Sequence, residues 1–391
     1  MTVPRDAMPP VTAWLLDRLK PVPAGVPLPP DIADPAVQRM VLDMIQHHRV
    51  ALTLSGDVKD DLSLPETFRD ELAALRRRRG TRLLRMAAEL GNIGNTLSAA
   101  GIPHVALKGV AVGALLHGGV AARDALDLDV LIPRDALEDA PAALAPLGFT
   151  RVLFREDGPD NPHPPPVSIF RGPTLPAPLE VHGELADDPR LFPLDRPFDM
   201  AVELRIGRHG VRSLSREAAV VYAAFHGWKH FWERIVWLTD MAAAARHPEM
   251  NWNVALDLAR RLGCERHLAL GALLAHRLLD APLPEPLAGD QRLLDGVARP
   301  AALVTPLVTA CPPLASGVAQ YRIGLSRAVG WDLWMHSRVA ARRAVLNRHL
   351  RPTADDRKII HLPPPLYPLY YGVRIGRILM RTLAFHAKGE F

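Results

Sequence analysis

Two aspartates, Asp127 and Asp129, interrupt an apolar run in the middle of the chain. The run from Leu128 to Ile132 has the length and composition of a buried β-strand. Residues two apart on a strand point to the same side of the sheet, so both carboxylates project together while Leu128 faces the other way. The pattern predicts a strand that is apolar on one face and acidic on the other.

The crowding of two carboxylates has an energetic consequence. Neighbouring like charges on an apolar strand are unfavourable unless cations neutralise them, and oxygen ligands at this spacing suit Mg²⁺. We therefore expect that replacing either Asp127 or Asp129 by asparagine leaves the fold intact, or slightly more stable without metal. An isolated Asp-x-Asp motif also occurs at solvated strand ends, and that interpretation stays open at this point.

A third carboxylate belongs to Glu180, which lies between Leu179 and Val181 in another strand-like run. Three acids on adjacent strands would form a compact site for two metal ions, which clamp the attacking and leaving oxygens of an in-line displacement. His182 follows two residues later and is expected to point the same way as Glu180. The three acids together favour a metal site over a solvated strand end.

Lys108 and Gly109 follow a short apolar run, 104–107, and precede a segment with helical spacing. Backbone N–H groups at the start of a helix readily receive phosphate, and a lysine adds a positive charge there. Lys108 and Gly109 are therefore candidate nucleotide-binding residues. Arg123 is a further candidate for contact with a triphosphate, although an exposed loop arginine explains it equally well.

Hydrophobic periodicity divides the chain into an N-terminal helical region at 1–100, a mixed α/β core at 101–215 and a C-terminal helical domain at 216–391. The fold class is therefore predicted to be α+β, with a small mixed β-sheet between the two helical parts. The predicted helices cover 65–100, 134–147, 216–246, 252–279 and 370–385. The predicted strands cover 104–107, 128–132, 149–154, 167–170 and 179–182, with a loop at 158–166.

The composition is that of a globular protein, with 48% hydrophobic and 23% charged residues. The two cysteines, Cys264 and Cys311, can neither build a disulfide framework nor complete a zinc site, which fits a reducing compartment. The opening residues lack the apolar run of a secretory signal, and no run is long enough to predict a membrane span. We therefore expect a cytoplasmic protein.

The end of the chain is basic. Residues 321–391 contain 13 lysines and arginines and four acidic residues. A basic segment indicates an anionic partner, such as nucleotide phosphates, nucleic acid or a lipid surface, or simply solvated helix faces. Arginines alternate with isoleucines and leucines in 370–385, which suits an interfacial helix and equally a helix packed on the core.

These motifs resemble the nucleotidyltransferase superfamily that includes DNA polymerase beta. More closely, the chain resembles a bacterial family of uncharacterised nucleotidyltransferases, whose members occur in gene clusters for polysaccharides and peptide natural products. The resemblance is carried by Leu107–Gly109, Arg123, Asp127–Leu131, Gly148–Phe149, Glu180–His182, the segments 225–230 and 237–240, and the proline-rich tail ending near Arg377.

The resemblance implies a magnesium-dependent transferase that binds ATP or another nucleoside triphosphate. Asp127 and Asp129 would bind two Mg²⁺ ions, and Glu180 would ligate the catalytic ion or help to deprotonate the acceptor hydroxyl. An acceptor oxygen would then attack the α-phosphorus, and pyrophosphate would leave. The sequence specifies neither the acceptor nor the base, and we expect no stable nucleic-acid partner. The superfamily usually has Gly-Ser or Gly-Gly where this chain has Lys108 and Gly109.

The helix predicted from Arg216 carries His226, Lys229 and His230. Short connections usually keep consecutive elements adjacent, so this helix is expected to form a second wall of the site. Lys229 or His230 would then face the acids and meet the triphosphate. For the two histidines, packing between helices is the alternative.

Two other functions stay open. The chain could be a catalytically weak relative that serves as a binding or assembly module, because Lys108 departs from the usual superfamily motif. It could also associate weakly with a membrane surface through its basic C-terminal segment.

Overall fold

The computed structural model describes residues 8–56, 61–152, 167–173, 177–207, 209–315 and 317–387. Over this part of the chain a seven-stranded mixed sheet is combined with helices before and after it, which confirms the predicted α+β class. The helices are α1 (Pro10–Arg18), α2 (Pro35–His48), α3 (Glu66–Ala99), α4 (Val110–Leu116), α5 (Ala140–Leu144), α6 (Arg216–Lys229), α7 (Ile235–Arg246), α8 (Trp252–Leu262), α9 (Glu265–Leu279), α10 (Glu285–Ala288), α11 (Gln291–Val308), α12 (Ala319–Ile323), α13 (Leu325–Met335), α14 (Val339–Leu350), α15 (Ala354–Ile359) and α16 (Tyr370–Ala387), with 3₁₀ helices at Arg134–Glu138, Ala145–Leu147 and Pro364–Leu369.

The sheet brings the strands of the predicted acidic residues together. Its strands are β1 (Val105–Ala106), β2 (Leu128–Leu131), β3 (Thr150–Val152), β4 (Val167–Arg171), β5 (Pro178–His182), β6 (Ala201–Ile206) and β7 (His209–Leu214). They are ordered β3-β4-β5-β2-β1-β7-β6. The pairs β2–β5 and β1–β7 are parallel, and the other neighbouring pairs are antiparallel. The strands that carry Asp129 and Glu180 are therefore direct neighbours.

One face of the sheet packs against the second half of α3. Leu128 of β2 shares an apolar core with Leu90 of this helix. At Gly91 an added Cβ would come within 2.5 Å of the His209 ring, so the absence of a side chain there allows α3 to lie close to β7. This face is the apolar side that the sequence pattern predicts.

The opposite face of the sheet is covered by helices that follow it in sequence. Leu131 of β2 belongs to a large core shared with α6, α7 and α9. Because side chains alternate along a strand, Asp129 lies on the same side as Leu131. The acidic side of the sheet therefore faces the C-terminal helices.

The segment predicted as one helix, 134–147, consists of two 3₁₀ helices around the short helix α5. The reason is that Pro141 and Pro146 lack the N–H group that a continuous helix requires. Gly148 ends the segment with a φ of 77°, the left-handed conformation expected of a glycine cap.

Two longer helical predictions are each split in the structure. The segment 216–246 divides into α6 and α7 because Phe231 and Trp232 adopt positive φ angles of 50° and 54° between them. The segment 252–279 divides into α8 and α9 at Gly263, whose φ is 75°. The Trp232 ring is buried between α6 and α9, where Gly227 and Gly271 leave space for it.

Strands β6 and β7 were not predicted individually, although they fall within the predicted α/β core. A signal for β6 is present, because Val202, Leu204 and Ile206 alternate with Glu203 and Arg205. The two strands form an antiparallel hairpin that extends the sheet beyond β1.

Several expectations lie outside what the structure tests. The predicted loop 158–166 and the end of the predicted strand 149–154 fall outside the described residues. Among the residues described, none of the helices has the length and apolar character needed to cross a membrane. Exposed Ile375, Leu379 and Met380 lie on α16, and a membrane-surface role for this helix stays a prediction. The domain boundaries at 100 and 215 also stay predictions.

Candidate active site

The register of β2 and β5 brings two of the predicted acids face to face. Asp129 lies directly opposite Glu180, and Leu131 lies opposite His182. The carboxylates of Asp129 and Glu180 and the His182 ring offer ligand atoms that all lie within 4.8 Å of one another. The His182 Nε2 atom is 3.0 Å from Asp129 Oδ1 and 3.5 Å from Glu180 Oε2. Parallel pairing of the two strands thus produces a compact group of potential metal ligands.

Lys108 reaches the same group from the neighbouring strand. The Leu107 N–H donates to the carbonyl of Asp129 at 3.0 Å, which places the next residue, Lys108, beside the Asp129 side chain. The Lys108 Nζ atom lies 2.8 Å from Asp129 Oδ1. The lysine therefore neutralises one carboxylate of the predicted metal site.

The environment of Asp129 favours its ionised form. Burial alone would raise the pKa of Asp129, but the Lys108 ammonium and the hydrogen bond from His182 hold it well below its usual value. Burial lowers the pKa of His182, and the hydrogen bonds to Asp129 and Glu180 more than reverse this, so its pKa is raised. The other oxygen of Asp129, Oδ2, is buried without a hydrogen-bond partner among the described residues.

Asp127 lies immediately before β2 and is half-buried. It does not belong to the group of ligand atoms formed by Asp129, Glu180 and His182. Burial raises its pKa, and repulsion from Asp129 and Glu180 adds to the rise, whereas Lys108 and Arg49 oppose it. Asp127 is therefore linked to the group through electrostatics.

Arg49 was not among the residues that the sequence singled out. It ends α2 in the left-handed conformation, with a φ of 57°, and it contributes to the charge balance of Asp127. It is far from the acids in sequence and has no local motif, so only the fold reveals this relationship. The N-terminal helices thus supply a cation to the site.

Gly109 allows the sharp turn between β1 and α4. Its φ of 63° is in the left-handed region, and an added Cβ would lie 3.3 Å from both Ala125 Cβ and the Asp127 carbonyl oxygen. Glycine is therefore required here by both the backbone conformation and the close approach of the next strand. The predicted order of strand, glycine and helix is confirmed.

Arg123 is buried and held by α7. Its Nε atom donates to Asp240 Oδ1 at 2.8 Å, its Nη2 atom donates to Asp240 Oδ2 at 2.8 Å, and its Nη1 atom donates to the Asp124 carbonyl. His117 Nε2 also lies 2.9 Å from Asp240. Arg123 is thus not an exposed loop arginine, and its contact with a triphosphate stays a prediction.

Helix α6 lies against the acidic face through Tyr222, which is fully enclosed. Burial raises the pKa of the Tyr222 hydroxyl to about 12, with Asp129 acting in the same direction and Lys108 opposing it. Tyr222 is not among the predicted site residues, although it lies one helical turn before His226.

The predicted cations of α6 have other partners near the site. Lys229 Nζ lies 2.9 Å from Asp187 Oδ1. The His230 ring stacks on Trp237 with centroids 5.2 Å apart and approaches His226 with centroids 4.8 Å apart. Burial, Lys229 and Lys108 lower the pKa of His230 to about 4. The nucleotide-binding role of Lys229 and His230 stays a prediction.

A family model described as uncharacterised nucleotidyltransferase matches residues 34–280 of the chain. The matched span extends from the start of α2 through α9 and contains Asp127, Asp129 and Glu180. No curated protein matches the chain.

Proposed function

The chain belongs to the uncharacterised nucleotidyltransferase family, and on this basis we propose that it transfers a nucleoside monophosphate from a nucleoside triphosphate to an acceptor hydroxyl or phosphate. Pyrophosphate is the other product. One observation carries the proposal: Asp129 and Glu180 face each other across adjacent parallel strands, and Asp129 Oδ2 is buried without a hydrogen-bond partner among the described residues. An ionised oxygen in this position favours a cation.

Asp127, Asp129 and Glu180 are the residues that would hold Mg²⁺, with two ions in our proposal. The donor set fits, because carboxylate oxygens are the ligands that Mg²⁺ prefers. The lowered pKa of Asp129 keeps this ligand ionised at neutral pH. When bound, the ions would stabilise negative charge on the attacking oxygen and on the leaving pyrophosphate.

The other residues of the site are proposed to position the reactants. Lys108 would exchange its contact with Asp129 for one with a triphosphate oxygen once cations neutralise the carboxylate. Gly109 would let the backbone approach the nucleotide closely. Glu180 would accept the proton of the acceptor hydroxyl, while His182 holds Asp129 and Glu180 in place through its Nε2 contacts.

A catalytically weak binding or assembly module is the second candidate. It is favoured by the ion pair between Lys108 and Asp129, because an ammonium group at 2.8 Å competes with a metal ion for the same carboxylate. Such a module would bind a nucleoside triphosphate without transferring it. Binding and transfer must therefore be measured separately.

The test uses nucleoside triphosphates labelled at the α-phosphate, each incubated with the full chain, Mg²⁺ and candidate acceptors. Pyrophosphate release and labelled product report transfer, and calorimetry reports Mg²⁺-dependent binding. Asp127→Asn and Asp129→Asn are expected to lower the transfer rate by at least about 1,000-fold, since each removes a metal ligand. Asp135→Asn is the matched control, because Asp135 is an exposed aspartate shortly after β2.

The outcomes separate the two candidates. Transfer that depends on Asp127 and Asp129 but not on Asp135 supports the enzyme. Binding that depends on the same residues without transfer to any acceptor supports the binding module. Wild-type transfer in the Asp129→Asn variant would remove this residue from the metal site.

A further inference from the structure

A second group of metal-ligand side chains lies away from the acidic face. Cys264, His267 and His336 offer ligand atoms that all lie within 4.8 Å of one another. All three are fully buried, with exposed fractions of 0%, 0% and 1%. The group contains none of the residues assigned to nucleotidyl transfer.

The fold builds this group from two chain turns. Cys264 precedes α9 and His267 lies in its first turn, so a spacing of three residues places both on one side of the helix. His336 follows α13 directly. The Ser337 N–H donates to the Gly263 carbonyl at 3.3 Å, which fastens the two turns together.

Three ring nitrogens of the two histidines are buried without a hydrogen-bond partner among the described residues. Among the described residues, neither ring nitrogen of His267 has a partner, and the same holds for Nδ1 of His336. An unsatisfied buried donor or acceptor destabilises the fold, and a ligand that uses its lone pair removes this cost. The neighbouring ring of Phe225, 5.7 Å from His267 between centroids, supplies no hydrogen bond. Lone pairs of both imidazoles are thus available next to a buried thiol.

We propose that Cys264, His267 and His336 bind a d¹⁰ cation, either Zn²⁺ or Cu⁺, as a structural site. A thiolate with two imidazoles is the donor set that these soft or borderline ions prefer over Mg²⁺. On binding, the Cys264 thiol loses its proton to solvent, and a bond from sulfur to the metal forms. Tetrahedral Zn²⁺ would need ligand atoms about 3.3–3.6 Å apart. The atoms lie within 4.8 Å of one another in the metal-free structure, so any adjustment on binding is small.

Small rotations of the histidine rings would bring the ligand atoms to this spacing. Asp332 lies on α13, one helical turn before His336. Its Oδ1 atom accepts a hydrogen bond from Trp228 Nε1 at 3.0 Å and its Oδ2 atom pairs with Arg348, so the charge of this carboxylate is already compensated. The thiolate of Cys264 would therefore offset the charge of a bound cation. Three protein donors suit Cu⁺ directly and leave one position of Zn²⁺ for a small ligand.

The cation would link the helices around His336 to the part of the chain that the family model matches, residues 34–280. Cys264 and His267 lie within residues 34–280, whereas His336 lies beyond them. Metal binding would therefore stabilise the packing of α13 and α14 on α8 and α9. The role is structural, because all three donors are buried and a substrate would have no access.

The test begins with the full chain stripped by a chelator. Zn²⁺ affinity is measured against a chromophoric chelator, Cu⁺ affinity anaerobically against a Cu⁺ chelator, and Co²⁺ serves as a probe for the thiolate-to-metal absorption band. Cys264→Ser and His336→Ala are expected to weaken binding by at least about 100-fold and to abolish the Co²⁺ band, since each removes one of three donors. Cys311→Ala and His361→Ala are the matched controls, because both residues lie outside the group.

All measurements are made in an Asp129→Asn background, so that metal bound at the acidic face is not counted. Stoichiometric Zn²⁺ or Cu⁺ binding that Cys264→Ser removes supports the proposal and identifies the ion. If His336→Ala does not fold, Cys264→Ser carries the test, because serine is close in size to cysteine. Absence of both the Co²⁺ band and stoichiometric binding, or binding that persists in Cys264→Ser, would overturn the proposal whether or not the chain transfers nucleotides.

Discussion

At the level of single residues, the two aspartates beside Leu128 differ in their environments. Asp129 contacts Lys108 at 2.8 Å and His182 at 3.0 Å, so its charge is compensated within the fold. Asp127 is half-buried and its pKa is raised by burial and by the neighbouring acids. The sequence alone does not distinguish the two aspartates. It cannot show that Lys108, two residues after β1, pairs with Asp129 at 2.8 Å.

This difference predicts opposite effects of the same substitution. Asp129→Asn should destabilise the metal-free chain by about 2–4 kcal/mol, because it removes the ion-pair partner of the partly buried Lys108 ammonium. Asp127→Asn should change stability by less than about 1 kcal/mol, in the stabilising direction, because it relieves repulsion. For Asp129 this prediction differs from the expectation from sequence alone, which is that either variant leaves the fold intact or slightly more stable without metal. Urea unfolding with a chelator present measures both, and equal stabilities would contradict the assignment.

At the level of elements, the ion pair of Arg123 and Asp240 connects the segment before β2 to α7. Both side chains are buried, so breaking the pair from one side leaves an uncompensated charge. Arg123→Met or Asp240→Leu should each destabilise the fold by about 3–5 kcal/mol. The double variant should be destabilised by about 2 kcal/mol less than the sum of the two single effects.

The double-mutant cycle has a matched exposed pair in the same chain. Arg260 and Asp290 lie 3.0 Å apart near the surface, and this pair should couple by less than about 1 kcal/mol. Coupling of equal size in the two cycles would mean that burial does not strengthen the Arg123–Asp240 pair.

The elements around the acids could be predicted from sequence to different extents. The strand from Leu128 and the long helix before it are read from apolar spacing, because each buries a complete face. The neighbours of the acids could not be read in this way. Arg49 and Tyr222 reach the site from α2 and α6, and no local pattern records a contact between distant segments. The break between α6 and α7 was also missed, because Phe231 is not a residue type that usually marks a turn.

Helix α6 provides the next prediction. Lys229→Ala should weaken Mg²⁺–triphosphate binding by about tenfold, or about 1.4 kcal/mol, if this lysine meets the phosphates after leaving Asp187. His230→Ala should have a smaller effect, because the pKa of about 4 keeps this ring neutral. Calorimetry measures both, with Lys358→Ala as the control, since Lys358 is also paired with an aspartate at 2.8 Å. Unchanged affinity in both α6 variants would limit the helix to a scaffold role.

For the whole molecule, buried histidines join the N-terminal and C-terminal helices. His48 of α2 accepts a hydrogen bond at Nδ1 from the Ile235 N–H of α7, at 3.3 Å. Burial, His47 and Arg234 lower the pKa of His48 to about 3, and burial with Arg234 lowers that of His47 to about 4. Burial and the neighbouring lysines likewise lower the pKa of His230 to about 4. Protonation of His48 at Nδ1 would remove the acceptor that joins α2 to α7.

Their protonation predicts how stability depends on pH. In the unfolded chain each histidine binds a proton near pH 6.5, whereas in the fold these three do so only near pH 3–4, so the unfolded state gains protons first as pH falls. The stability they contribute is complete above about pH 6.5 and is lost between about pH 6.5 and 3. His182, with its raised pKa, acts in the opposite direction only above about pH 6.5, where the unfolded chain has lost this proton and the folded chain has not.

The three histidines together should account for a loss of roughly 4 kcal/mol per pH unit below about pH 6, since each accounts for about 1.4 kcal/mol per unit. His226, His267 and His336, whose pKa values are also lowered by burial, act in the same direction. Urea unfolding at intervals from pH 8 to pH 5 measures this slope. His48→Asn should reduce it by about 1.4 kcal/mol per unit, because asparagine keeps the acceptor for Ile235 but does not titrate. The exposed His361→Asn is the control variant. If the slope of the His48→Asn variant equals that of the wild type, His48 does not contribute to the acid sensitivity.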